Sequence, residues 1–179
     1  MSSQLPAIRS AVRPFLEKME AGDRIVVAVS GGADSLALAY ALSQEVKKLA
    51  LQLTSVTIDH QLQNNSAQQA KRVVEQMQEL GIECAVVKVS VEITEGLEAS
   101  ARKARYSALD NLQADVIFLG HTHNDQAENV LLGLARGSGT RSLSGMADVN
   151  GKYIRPFLTI TRAQTESACS EIGLTPWND

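Results

Sequence analysis

The sequence predicts an α/β protein built on a doubly wound parallel sheet, and three observations predict it. The β-branched run Ile25-Val26-Val27-Ala28-Val29 is apolar throughout, as a strand buried on both faces must be. Strand-like stretches then alternate with segments of helical periodicity to the end of the chain, which implies helices on both faces of about five parallel strands. The residues able to do chemistry follow the strand ends, at Ser30-Gly31-Gly32-Ala33-Asp34-Ser35, Asp59-His60 and Gly120-His121. Open parallel sheets bind their ligands at that edge. At 179 residues the chain is the size of one domain with a full core.

Each element has its own signal. Residues 1–20 form an amphipathic helix with Ile8, Val12, Phe15 and Leu16 on one face, suited to packing. After the glycine turn, Leu36 to Leu49 carries helical spacing, with Asp34 or Ser35 as its cap. Leu51 to Ile58 is a second strand, and the polar loop QLQNN leads to a helix from Ser66 to Leu80 closed by Gly81. Cys84 to Val91 is a third strand. Gly96 to Leu112 is a helix rich in alanine that carries Arg102, Lys103 and Arg105. Asp115 to Gly120 is a fourth strand, followed by a helix from about Asp125 to Ala135. Lys152 to Pro156 supplies a short last strand and Arg162 to Ile172 a last helix. No internal repeat, low-complexity tract or linker interrupts this order.

Composition excludes several classes. A hydrophobic fraction of 44% and a charged fraction of 21% are ordinary for a soluble globular protein. No stretch is long enough to span a membrane and no signal-peptide core is present, so no membrane partner is expected and the location is cytoplasmic by default. Cys84 and Cys169 form no CxxC pair and no zinc or iron–sulfur pattern. The net charge of −3 argues against general nucleic-acid binding. Any RNA contact must come from local basic patches or from another domain.

The hexapeptide SGGADS carries the strongest chemical signal. Its glycines let the backbone turn sharply and approach a ligand, and the following helix N-terminus aims backbone N–H groups at one point, which suits phosphate. A tight turn alone would account for the two glycines. The acid inside the turn would repel phosphate unless a divalent cation lies between them, which points to Mg²⁺. The Lys-Ser/Thr ending of a Walker loop is missing.

SGGADS resembles the PP-loop of the N-type ATP pyrophosphatases. Within that superfamily the chain is most similar to the tRNA(Ile)-lysidine synthetases, through VAVSGGADSLAL, TIDHQLQNNSAQQA, EASARKARYSAL, GHTHNDQAENVLLGLARGSGTRSLSGM and YIRPFLTITRAQTESACSEIGLTPWND. The combination of ARxxRY, GHxxxDQAE and RGSGxxxLxGM is far more specific than SGGxDS alone. The resemblance covers most of residues 24–179 and implies a single catalytic domain over 1–179. It implies ATP and Mg²⁺ as cofactors, with tRNA(Ile) bearing a CAU anticodon and free L-lysine as partners. ATP would adenylate the C2 oxygen of the wobble cytidine, and the lysine ε-amine would displace AMP. The family pattern continues past Trp177-Asn178-Asp179, so a C-terminal tRNA-binding part is expected to be absent. Whether two copies pair as a homodimer is not legible.

The resemblance gives roles to named residues. Ser30, Gly31, Gly32, Ala33 and Ser35 would hold phosphates, Asp34 would bind Mg²⁺, and Ile58 would offer backbone hydrogen bonds to adenine, with Gly120 beside the nucleotide. Arg102 and Arg105, on one helix face, are either solvated surface residues or neutralise charge on the α-phosphate. His121 either contacts the α-phosphate or the activated base, or is structural. His60 is structural or touches ribose, and His123 is expected to be exposed. Asp125 is a second metal ligand or orients the lysine amine, and a role at the helix dipole fully explains Glu128. Asn124 stands where many relatives carry an acid, and tolerance is expected because the oxygen ligand is kept. Arg136-Gly137-Ser138-Gly139 is an anion nest or a helix C-cap.

Two other classes fit less well. Another AMP-forming PP-loop enzyme, a tRNA thiolase or amide synthetase, would want catalytic cysteines or an ammonia-supplying partner. A non-catalytic ATP or AMP sensor of the universal-stress kind would place its glycines differently and leave ATP intact.

Overall fold

Strand β1 (Arg24–Ala28) runs through the middle of a six-stranded sheet, with β2 (Gln52–Asp59) and β3 (Glu83–Lys88) on one side. On the other side lie β4 (Val116–Leu119), then β6 (Tyr153–Ile154), then β5 (Val149–Asn150) at the edge. All pairings are parallel except β5 with β6. The computed structural model describes residues 2–94, 96–135 and 145–177.

Alternation along β1 divides the core. Ile25, Val27 and Val29 face a cluster built with Ile8, Val12 and Leu16 of α1 (Leu5–Leu16), with α2 (Ala33–Glu45), and with Val73 and Met77 of α3 (Ser66–Glu79). Ala168 and Cys169 of α6 (Arg162–Ile172) join it. Val26 faces the opposite cluster, with Val56, Ile117, Leu119 and Leu109 of α4 (Leu97–Asp110). The side-chain period of two explains the division. Helix α5 (His123–Ala135) follows β4 and buries no residue fully.

Three expectations are corrected. The sheet has six strands, because Gly151 (φ +58) opens a two-residue hairpin that adds antiparallel β5. The third strand ends at Lys88, where its partner β2 ends at Asp59. The cap of α2 is Gly32, extended at φ −74 and ψ 160, and Asp34 and Ser35 lie in the first turn. That shift leaves the Asp34 carboxylate free of the helix end.

The chain leaves β1 toward β2 and β3 and then crosses to β4 on the far side of β1. The winding reverses between β1 and β4, and their carboxyl ends open the crevice that such a reversal creates.

Candidate functional site

The glycine loop is braced by its own hydroxyls. Ser35 Oγ accepts from the Ser30 N–H at 3.1 Å, donates to the Gly32 carbonyl at 3.0 Å, and lies 3.2 Å from Ser30 Oγ. Gly31 sits at φ +94, and a Cβ there would fall 3.0 Å from Val73 Cγ2. Its carbonyl accepts from the Trp177 N–H at 2.8 Å. The first-turn amides of Ala33, Asp34 and Ser35 have no acceptor within the helix, which is the electropositive end an anion needs. Gly120, at the end of β4, presses on this turn.

Beside the loop stands a pair of carboxylates. Asp34 is mostly buried, and burial raises its pKa from the ordinary aspartate value. Hydrogen bonding from Thr165 and the charge of Arg162 pull the other way, and Asp125 adds to the rise. Thr165 Oγ1 bonds Asp34 Oδ1, and Arg162 Nε lies 3.4 Å from Asp34 Oδ2. Asp125 Oδ2 accepts from both the N–H (2.6 Å) and the hydroxyl (2.9 Å) of Thr122, half of a capping arrangement for α5. Its Oδ1 faces Arg162 Nη2 at 4.0 Å. One oxygen of Asp125 therefore serves the helix and the other faces the cleft.

Across the crevice lies a cationic group. Arg155 follows β6 and is only 6% exposed. Its Nη1 donates to the Ala147 carbonyl at 3.1 Å, its Nη2 to the Tyr106 hydroxyl at 3.4 Å, and its Nε has no partner. The Tyr106 ring, set edge-on to Tyr153, carries the guanidinium groups of Arg102 at 5.1 Å and Arg105 at 5.5 Å. Half-buried Arg105 also has its Nε buried and unpartnered. Among the described residues, no carboxylate lies within salt-bridge distance of these three arginines.

Burial and these arginines push His121 down to about 4, so its imidazole is neutral at physiological pH. His60 is lowered by burial and by Arg105. The Nδ1 atoms of both histidines are buried without a partner. Buried like charges with open donors are costly unless an anion completes them.

The structure thus gathers Ser30 to Ser35, Asp34, Asp125, Gly120, Arg105 and His121 around one crevice. Arg102 reaches it from the exposed side of α4, over Tyr106. The β1 ladder stops at Ala28–Val56 and the bond from Val29 N–H to the Val56 carbonyl. Ile58, two residues on, directs its N–H and C=O past that end. His123 is exposed, as expected of it, and Glu128 is exposed as well. Asn124 Oδ1 accepts from the Arg162 N–H at 3.0 Å, so it anchors the start of α6. The segment Arg136-Gly137-Ser138-Gly139 lies outside the described residues.

Sequence reasoning missed Arg155, Arg162, Thr165 and Tyr106. For Arg155 a signal existed: an arginine between apolar Ile154 and Pro156, at the carboxyl end of a strand.

Two carboxylates suit a hard cation of the Mg²⁺ kind, which takes one or two carboxylates and completes its shell with phosphate oxygens and water. No group of three or more His, Cys, Asp or Glu among the described residues could hold a metal by itself. Cys169 is buried, with its thiol pushed up to about 12 by burial and then by the charge of Asp34. It is no thiolate at neutral pH. No helix among the described residues is long and apolar enough to cross a membrane.

Comparison with known proteins agrees with this geometry. The chain is 47% identical over 177 residues to the tRNA(Ile)-lysidine synthase of Thermobifida fusca strain YX, covering 96% of this chain and 55% of that protein. It is 49% identical over 163 residues to the enzyme of that name from Streptomyces coelicolor, covering 87% and 46%. The chain spans about half the length of the curated relatives it matches. The U34-tRNA thiolase NcsA from Methanococcus maripaludis, solved with its [4Fe-4S] cluster, superposes with a TM-score of 0.82 at 19% identity. That match covers 98% of this chain and 66% of that one, and it shows a shared fold. The family model of the PP-loop domain, ATP_bind_3, matches residues 5–179, and the chain belongs to that family.

Proposed function

We propose that residues 1–179 are the catalytic domain of a tRNA(Ile)-lysidine synthase, a cytoplasmic ATP-dependent ligase. The observation that carries the reading is the pairing of two neighbouring carboxylates, Asp34 and Asp125, with a group of arginines in which buried Arg155 and half-buried Arg105 each leave Nε without a partner. It supports the binding of a nucleotide triphosphate with its metal on one side and open cationic donors on the other. Ser30, Gly31, Gly32, Ala33 and Ser35 hold the β- and γ-phosphates, and the backbone of Ile58 receives adenine beside Gly120. Asp34 and Asp125 would hold Mg²⁺, which would neutralise negative charge on the scissile phosphoanhydride.

The chemistry asks for two displacements. The C2 oxygen of the wobble cytidine in tRNA(Ile), anticodon CAU, attacks the α-phosphorus, and the bond to the β-phosphate breaks with loss of pyrophosphate. The ε-amine of L-lysine then attacks C2, and the C2–O bond breaks with loss of AMP. Arg105, Arg102 and Arg155 stabilise charge on the α-phosphate as it develops. Neutral His121 holds the α-phosphate or the activated base by hydrogen bond.

The test is incorporation of labelled lysine into total bacterial tRNA, with ATP and Mg²⁺, while AMP is followed. Lysine in one isoleucine tRNA, with AMP in equal amount, is the expected result. AMP without lysine incorporation would assign a different acceptor.

A further inference from the structure

The Nε and Nη2 atoms of an arginine form one edge of the guanidinium, which ordinarily pairs with a single carboxylate. Arg162 divides that edge. Its Nε lies 3.4 Å from Asp34 Oδ2 and its Nη2 4.0 Å from Asp125 Oδ1. The arginine side chain is 55% exposed and that of Asp34 15%, so the guanidinium covers the acid pair from the solvent side. One turn further along α6, Thr165 is fully buried, with Oγ1 shared between Asp34 Oδ1 and the Arg162 carbonyl at 2.8 Å. The Arg162 N–H is tied to Asn124, one residue before Asp125. The first turn of α6 is thereby joined to both acids.

We propose that Arg162 and Thr165 are positioning residues for the divalent cation, Thr165 fixing the Asp34 carboxylate and Arg162 spanning the acid pair as a cation that exchanges with the metal. This rests on the reading of Asp34 and Asp125 as metal ligands. A guanidinium and a divalent ion seek the same oxygens and repel each other, so they are alternative occupants of the pair. The difference in exposure divides the labour. Arg162 swings into water at the expense of two long contacts, whereas Thr165 is packed in the core and stays. Asp34 and Asp125 repel when neither cation lies between them.

The test titrates Mn²⁺ into the 179-residue chain and reads free Mn²⁺ by electron paramagnetic resonance, with and without an ATP analogue bridged by methylene between the α- and β-phosphorus. Arg162→Met is expected to bind Mn²⁺ about fivefold more tightly than wild type, the scale of losing one exposed competing cation. Arg162→Lys stays near wild type because a cation remains. Thr165→Val binds several-fold more weakly, and Thr165→Ser restores the affinity. Without divalent ions Arg162→Met melts below wild type, and saturating Mn²⁺ closes the gap. Mn²⁺ binding by Arg162→Met no tighter than wild type overturns the exchange, and wild-type affinity in Thr165→Val overturns the positioning role. If Asp34→Asn binds Mn²⁺ as wild type does, the metal reading itself falls and the proposal with it. Loss of binding in Asp34→Asn alongside an unchanged Arg162→Met overturns the proposal alone.

Discussion

Gly120 and Ser35 meet backbone to backbone: a Cβ on Gly120 would lie 3.0 Å from both the Cα and the N of Ser35. The end of β4 is thus pressed against the first turn of α2, and the phosphate loop inherits its place from that contact. Gly120→Ala must push rigid backbone aside, at about 1–3 kcal/mol. Thermal unfolding is expected to show the loss, and equilibrium dialysis a weaker affinity for ATP.

Arg105 separates stability from function. Its Nε is buried without a partner, and Arg102 and Arg155 are like charges nearby. Arg105→Met removes a half-buried cation that has like charges nearby and no carboxylate partner, so the melting temperature of the unliganded protein stays level or rises. AMP formation falls about 100-fold, the scale of losing one preorganised donor to a charged transition state. A melt and a turnover assay on the same variant check both halves.

His121 makes the fold acid-sensitive. Its native pKa of about 4 lies below the unfolded value of 6.5, so between those values the unfolded chain holds a proton that the native chain lacks. Stability is therefore complete above the unfolded value and is lost as the pH falls toward 4, by about 3 kcal/mol at most. His60, lowered in the same direction, adds to the loss. Urea unfolding at about pH 7 and about pH 5 is expected to differ less in His121→Gln than in wild type.

Asn124 tests the tolerance of an amide beside Asp125. Its oxygen already serves the start of α6, where a carboxylate would also be favoured by the helix dipole. Asn124→Asp is expected to keep AMP formation within about threefold and to leave the melting temperature level or slightly higher. Asn124→Ala loses the anchor and about 1 kcal/mol.

Much of this was legible before the structure. The run Ile25 to Val29, the glycine turn and Gly81 behind α3 are local signals, and local physics decides them. Strand β5 was not legible, because two residues with one apolar side chain make no pattern, although Asn150-Gly151 is a hairpin signal. The site shows the same division. Asp34 and His121 announce themselves by following strands and glycines. Thr165 looks like an ordinary polar residue on a helix and acquires meaning because α6 packs across α2, 131 residues away in sequence from Asp34. Arg162 depends likewise on which elements become neighbours.

The bond of ATP that is cut distinguishes an AMP-forming site from any other nucleotide site. The chain is incubated with tRNA, lysine, Mg²⁺ and ATP labelled on the α-phosphate, and the products are separated for wild type and Asp34→Asn. AMP and pyrophosphate in equal amounts are expected from wild type and neither from the variant, with the fold of the variant intact by circular dichroism. ADP and phosphate from wild type, or undiminished AMP from Asp34→Asn, would contradict an AMP-forming site built on Asp34.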